Sequence, residues 1–132
     1  MRWLQERSIP ITIHVVNEVF NPDVLLQTVM NDRTIVRKIL LTFVEDIPLR
    51  IEALTQALIR ADAHSARIEA HSIKGACASV GGAGLRVLAL SVERCAVTGQ
   101  LDVAATMLPQ LTESFNVLSR AIGRYLDDLD QG

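Results

Sequence analysis

The sequence predicts an all-α protein, an antiparallel up-and-down four-helix bundle with a short additional helix on its N-terminal side. Three observations predict it. Apolar residues recur at steps of three and four along most of the chain. Glycines, prolines and capping residues interrupt those stripes at short intervals. Aromatic residues make up only 4% of the 132 residues, so a core must be built from Leu, Ile, Val and Ala, which suits packed helices.

Residues 1–20 stand apart, because Ile9, Ile11, Ile13, Val15 and Val16 around Pro10 favour extended backbone over helix. They read as an arm or linker, with the bundle domain over 21–128 and a short tail over 129–132. Asn21 is a suitable N-cap and Pro22 a suitable first-turn residue for a short helix ending near Asn31. Asp32 then caps a long helix to about Arg60, with the stripe Val36, Ile39, Leu40, Phe43, Ile47, Ile51, Leu54 and Leu58; Pro48 is expected to kink it. Asp62 opens the third helix, whose seam is Ala63, Ala66, Ala70, Ile73, Cys77 and Val80, and Gly81-Gly82 closes it. The fourth, about Ala83 to Thr98, carries Leu85, Leu88, Val92 and Cys95. The fifth is expected to run unbroken from about Asp102 to Asp127 with Pro109 inside it, burying Ala104, Leu108, Leu111, Phe115, Leu118, Ile122 and Tyr125. Each stripe needs neighbours to cover it, and short connections make those neighbours antiparallel.

Composition excludes several functions. Thirteen Lys and Arg against fifteen Asp and Glu leave a net charge of −2, with no basic run to neutralise a series of phosphates, so nucleic acid is not an expected partner. Charges interrupt every apolar stretch well before the roughly 20 residues a membrane span needs. The first residues lack the small-residue cleavage site of a signal peptide. Cys77 and Cys95 are too few for a disulfide scaffold and lack metal-ligand spacing, which fits a reducing cytoplasm and no bound metal. There is no GxxxxGK[ST] loop for nucleotide, and Gly81, Gly82 and Gly84 lack the strand and lysine of a phosphate cradle, so they read as a helix break. The clusters of carboxylates and Glu-x-x-His of a bundle metal site are also missing.

The outward face of the third helix is more informative. Advancing about 100° per residue from His71, the core seam falls between roughly 140° and 260°, while His64, Arg67, Lys74, Gly75 and Ala78 lie within about 60° of the histidine. Glu69 falls at the edge of the core arc without an evident reason. Glycine in a helix interior costs about 1 kcal/mol relative to alanine, so Gly75 calls for compensation. The missing side chain, one turn from the imidazole, would leave room for a bulky group on the ring or for another backbone. Lys74 can place an ammonium beside an anion carried there. By itself a surface histidine has no role, and Lys74 and Gly75 supply the context that gives it one.

The run His71-Ser72-Ile73-Lys74-Gly75-Ala76, followed by Gly81-Gly82-Ala83-Gly84-Leu85, resembles the H-x-[LI]-K-G signature of histidine-containing phosphotransfer (HPt) domains. Phe20-Asn21-Pro22-Asp23, the end of the long helix before Ala61-Asp62, and Thr98-Gly99-Gln100-Leu101 extend the likeness over about residues 20–126. The resemblance implies that Nε2 of His71 carries a phosphoryl group and exchanges it with aspartates of response-regulator receiver domains, in partnership with a sensor histidine kinase, hybrid or not. It implies Lys74 and Gly75 as phosphate neighbours. It also implies that Glu93, twenty-two residues past the histidine where the family carries Gln or Glu, orients the imidazole; an ordinary surface pairing with Arg67, Arg86 or Arg94 is the other reading of that residue. A carboxylate accepting Nδ1–H would hold the tautomer that leaves Nε2 free and make the ring more basic. His64, Arg67, Ala78 and Arg86 are candidates for receiver docking. Ala70, Ile73, Ala78 and Leu85 either form an apolar docking rim or pack the bundle. The expected protein is not an enzyme: it uses no ATP and no cofactor, and Mg²⁺ sits on the receiver. The alternative is a docking module of the same fold that binds a receiver or kinase and carries no phosphate.

Overall fold

The computed structural model describes residues 19–131; the expectation of an arm over 1–20 lies, except for Val19 and Phe20, outside the described residues. Six helices follow: α1 (Pro22–Thr28), α2 (Arg33–Ile59), α3 (Ala63–Val80), α4 (Ala83–Val97), α5 (Leu101–Thr106) and α6 (Leu108–Gln131). No strand occurs among the described residues. The caps are those the sequence offers. Asn21 Oδ1 accepts from Asp23 N (3.2 Å), Asp32 Oδ1 from Thr34 N (3.0 Å) and Ile35 N (3.2 Å), and Asp62 Oδ1 from Ser65 N (3.0 Å).

Helix α2 packs on α3, α3 on α4, α4 on α6 and α6 on α2, which closes a four-helix ring. Leu40, Ile47, Leu54, Ile73, Val92, Leu111, Leu118 and Ile122 fill it, and no polar or charged residue among those described is buried. Helix α2 continues through Pro48 without a break, although the ring nitrogen has no proton for the Val44 carbonyl.

Two expectations at the C-terminal end are corrected. The fifth predicted helix is two: the short α5 ends at Thr106, ahead of Pro109, whereas the 27-residue α2 absorbs the same crowding and lost hydrogen bond at Pro48. The chain turns at Met107, and Pro109 takes the second position of α6, where a missing N–H costs nothing. Helix α6 then runs through the residues expected to form a tail: Leu129 packs on the core, and both Asp130 oxygens accept from Arg37, Oδ2 from Nη2 at 2.9 Å.

The α3–α4 junction positions everything that follows. Gly81 closes α3 with φ +82°, a conformation that suits glycine. Its carbonyl accepts from Asn21 N at 2.8 Å, and a Cβ there would lie 2.1 Å from the Asn21 carbonyl oxygen. Gly81 thus reverses the chain and seats α1 against the hairpin.

Candidate functional site

A two-glycine connection fixes the register of the α3–α4 hairpin. His71 lies ten residues before Gly81 and Glu93 eleven after Gly82, so the two stand at the same level on facing helices. Glu93 Oε2 lies 2.7 Å from His71 Nδ1 and Glu93 Oε1 2.7 Å from Lys74 Nζ. A carboxylate can only accept, so the first contact is Nδ1–H···Oε2 and the neutral ring carries its free lone pair on Nε2. The His71 side chain is 62% exposed, whereas Lys74 is 25% and Glu93 12% exposed. Burial alone would push the Glu93 carboxyl up. Hydrogen bonds from Lys74 and His71, with their charges, outweigh it and hold the group below the ordinary 4.5. Glu93 is therefore an anion at neutral pH.

Gly75 lies one turn beyond His71 with helical backbone, and a Cβ built on it would meet nothing within 4 Å. The bare patch is open space, not a packing requirement. By contrast a Cβ on Gly82 would meet Leu118 Cδ2 at 2.8 Å, which gives Gly82 a structural role and supports the helix-break reading of the glycine run.

The expected docking residues divide. His64, Ala78 and Arg86 are exposed and Arg67 is half-buried. Ala78 and Arg86 line a hollow of about 220 Å³ with Asn21 and Val24, so α1 borders this face. Of the four apolar rim candidates, Ala70, Ile73 and Leu85 are buried and pack the bundle, since their positions on the wheel point between helices. Only Ala78 remains at the surface. Cys77 is buried, and burial pushes its thiol up to about 12; Cys95 is half-buried. No cluster of three or more metal-ligating side chains occurs among the described residues.

Three features escaped the sequence reading. Glu69 accepts from Arg50 Nη1 of α2 at 3.2 Å, which explains an acidic residue at the edge of the core arc. Lys74 is held by Glu93 in the free chain. Ile68, one turn before His71, is 41% exposed and adds apolar surface beside the ring. Its wheel position, about 60° from His71, was sufficient to find it.

The family profile described as Hpt domain matches residues 38–131, and the chain belongs to that family. The class is that of phosphotransfer modules in phosphorelays, and this role goes with membership. Among solved structures, histidine-containing phosphotransfer protein B from Pseudomonas aeruginosa PAO1 is similar at 25% identity and TM-score 0.77, over 83% of this chain and 96% of that one. The HPT domain from a sensor hybrid histidine kinase of Shewanella shares the fold at 16% identity and TM-score 0.69, over 85% and 97%. Comparison with curated proteins gives no match.

Proposed function

We propose that the chain relays a phosphoryl group between His71 and aspartates of response-regulator receiver domains, fed by a sensor histidine kinase. One observation carries the reading: an exposed imidazole whose Nδ1–H is bonded to a shielded carboxylate, leaving Nε2 as the basic edge. The Nε2 lone pair attacks the phosphorus of an aspartyl phosphate, the P–Nε2 bond forms, and the P–O bond breaks to return the carboxylate. Glu93 orients the ring. Lys74 supplies the positive charge nearest the phosphoryl oxygens, and the open space over Gly75 admits the partner's backbone.

Docking uses the outward face of α3 with His64, Arg67 and Ala78, together with Arg86 of α4 and the adjoining part of α1. The receiver brings the acidic pocket and its Mg²⁺; this chain brings a nucleophile and neither binds ATP nor phosphorylates itself. The cytoplasm is its place of work. No helix among the described residues is long and apolar enough to cross a membrane.

The test incubates wild type and His71→Gln with phosphorylated receiver domains and follows the label. Acid-labile label on the wild type, lost in the variant with helicity unchanged, is the expected result. Label that persists in the variant contradicts the assignment, and binding without label in the wild type favours the docking module.

A further inference from the structure

A carboxylate has no proton to offer at neutral pH, so the 2.7 Å contact between Glu93 and Nδ1 holds only while Nδ1 carries hydrogen. In the free ring a neutral imidazole meets that demand. A phosphoryl group changes the terms. With phosphorus bonded to Nε2, a ring that keeps hydrogen on Nδ1 is an imidazolium, and one that sheds it turns a lone pair towards Glu93. Two acceptors at that separation repel. Glu93 is not free to turn away, because its second oxygen is bonded to Lys74 Nζ at 2.7 Å and its side chain is largely enclosed.

We propose that Glu93 is a positioning residue that keeps the Nδ1 proton on phosphorylated His71, so that the phosphoryl group departs from an imidazolium. The inference rests on the reading of His71 as the phosphoryl carrier. In the departing step the P–Nε2 bond breaks and its electron pair returns to Nε2. Phosphorus forms a P–O bond to an incoming carboxylate or water, and the ring is left neutral with Nδ1–H in place. That is the form that attacked, so the Nδ1 proton neither enters nor leaves in either direction of the relay.

The surroundings allow this. His64, Arg67 and Lys74 share the α3 face with His71, and Arg86 and Glu93 are on the α4 side. Towards α2, Glu69 is engaged by Arg50, which also bonds Asp46; α1 contributes Asp23. Among the described residues Glu93 is the anion in hydrogen-bond contact with the ring. An arriving phosphoryl group gives the Lys74 ammonium a second anion to neutralise while it stays bonded to Glu93, so more of the carboxylate's charge is left for Nδ1–H.

The experiment phosphorylates the full chain with phosphoramidate, in wild type, His71→Gln and Glu93→Gln. The amide of Glu93→Gln can present either its carbonyl or its NH₂, so it accepts a ring with or without the proton. Nitrogen-15 NMR over a pH series is expected to show Nδ1 losing its proton at higher pH in the phosphorylated wild type than in Glu93→Gln. Hydrolysis of the label slows as pH rises, and in the wild type this decline should come about one pH unit later, a difference approaching tenfold on the alkaline side. Identical Nδ1 states and coincident profiles overturn the inference while leaving His71 as the carrier. Absence of His71-dependent label in the wild type removes the reading beneath it, and the inference with it.

Discussion

Replacing Gly75 with alanine separates what the fold requires at this position from what the site requires. The backbone there is helical, and the added Cβ meets nothing within 4 Å, so no steric penalty arises. Removing an interior helical glycine recovers about 1 kcal/mol, partly through the lower entropy of the unfolded chain. For a domain of this size that amounts to a rise of roughly 3–5 °C in Tm. Glutamine, also a good helix former, should stabilise Gly75→Gln nearly as much. Its longer side chain, however, occupies the space over the imidazole, so transfer from a phosphorylated receiver should slow by about tenfold or more. Thermal unfolding by circular dichroism and label transfer on the same preparations measure both. A loss of 1 kcal/mol or more in Gly75→Ala would refute the claim that the backbone does not need this glycine, and wild-type transfer in Gly75→Gln would refute the claim that the bare patch serves access.

The hairpin glycine should behave in the opposite way: Gly81→Ala combines φ +82° with a Cβ 2.1 Å from the Asn21 carbonyl oxygen, and a loss of about 3 kcal/mol in denaturant unfolding is expected from backbone strain and the severed Asn21–Gly81 bond. Gly99→Ala, at φ +76° in open space, should lose only about 1 kcal/mol, and equal losses would contradict the close-approach argument. Because Glu93 is held below its ordinary 4.5, its ionised form contributes stability that is fully present above that pH and is lost as pH falls through the lower folded value. The stability gap between wild type and Glu93→Gln should therefore narrow as pH drops below about 4.5, and a gap that stays constant to pH 2 would speak against the ionic network. With its thiol buried and pushed up to about 12, Cys77 should react far more slowly than Cys95 with a thiol reagent at pH 8; equal labelling by mass spectrometry would contradict its burial.

Much of this was legible in the sequence because it depends on one helix at a time. The caps at Asn21, Asp32 and Asp62, the apolar seams, and the outward direction of His71 all follow from spacing within a single element. The placement of Glu93 against His71 was legible through the family resemblance, and the nearly equal spacing of the two residues from Gly81-Gly82, ten before and eleven after, gives its physical reason. What escaped depends on which elements become neighbours. Arg50 stands nineteen residues before Glu69, and no wheel of α3 shows that α2 covers that edge. Ala70, Ile73 and Leu85 were open to two readings until their seams were filled. The break at Met107 is a local matter: the apolar spacing continues across Pro109 as it does across Pro48, and spacing alone does not show which of the two prolines stands at a helix boundary.

The central claim is that Glu93 fixes the imidazole so that its other nitrogen is the nucleophile. Phosphorus–nitrogen coupling in NMR spectra of the nitrogen-15-labelled, phosphorylated protein tests it most directly. The account predicts one phosphohistidine, at His71, with phosphorus bonded to Nε2. Phosphorus on Nδ1, or on His64 in place of His71, would contradict it.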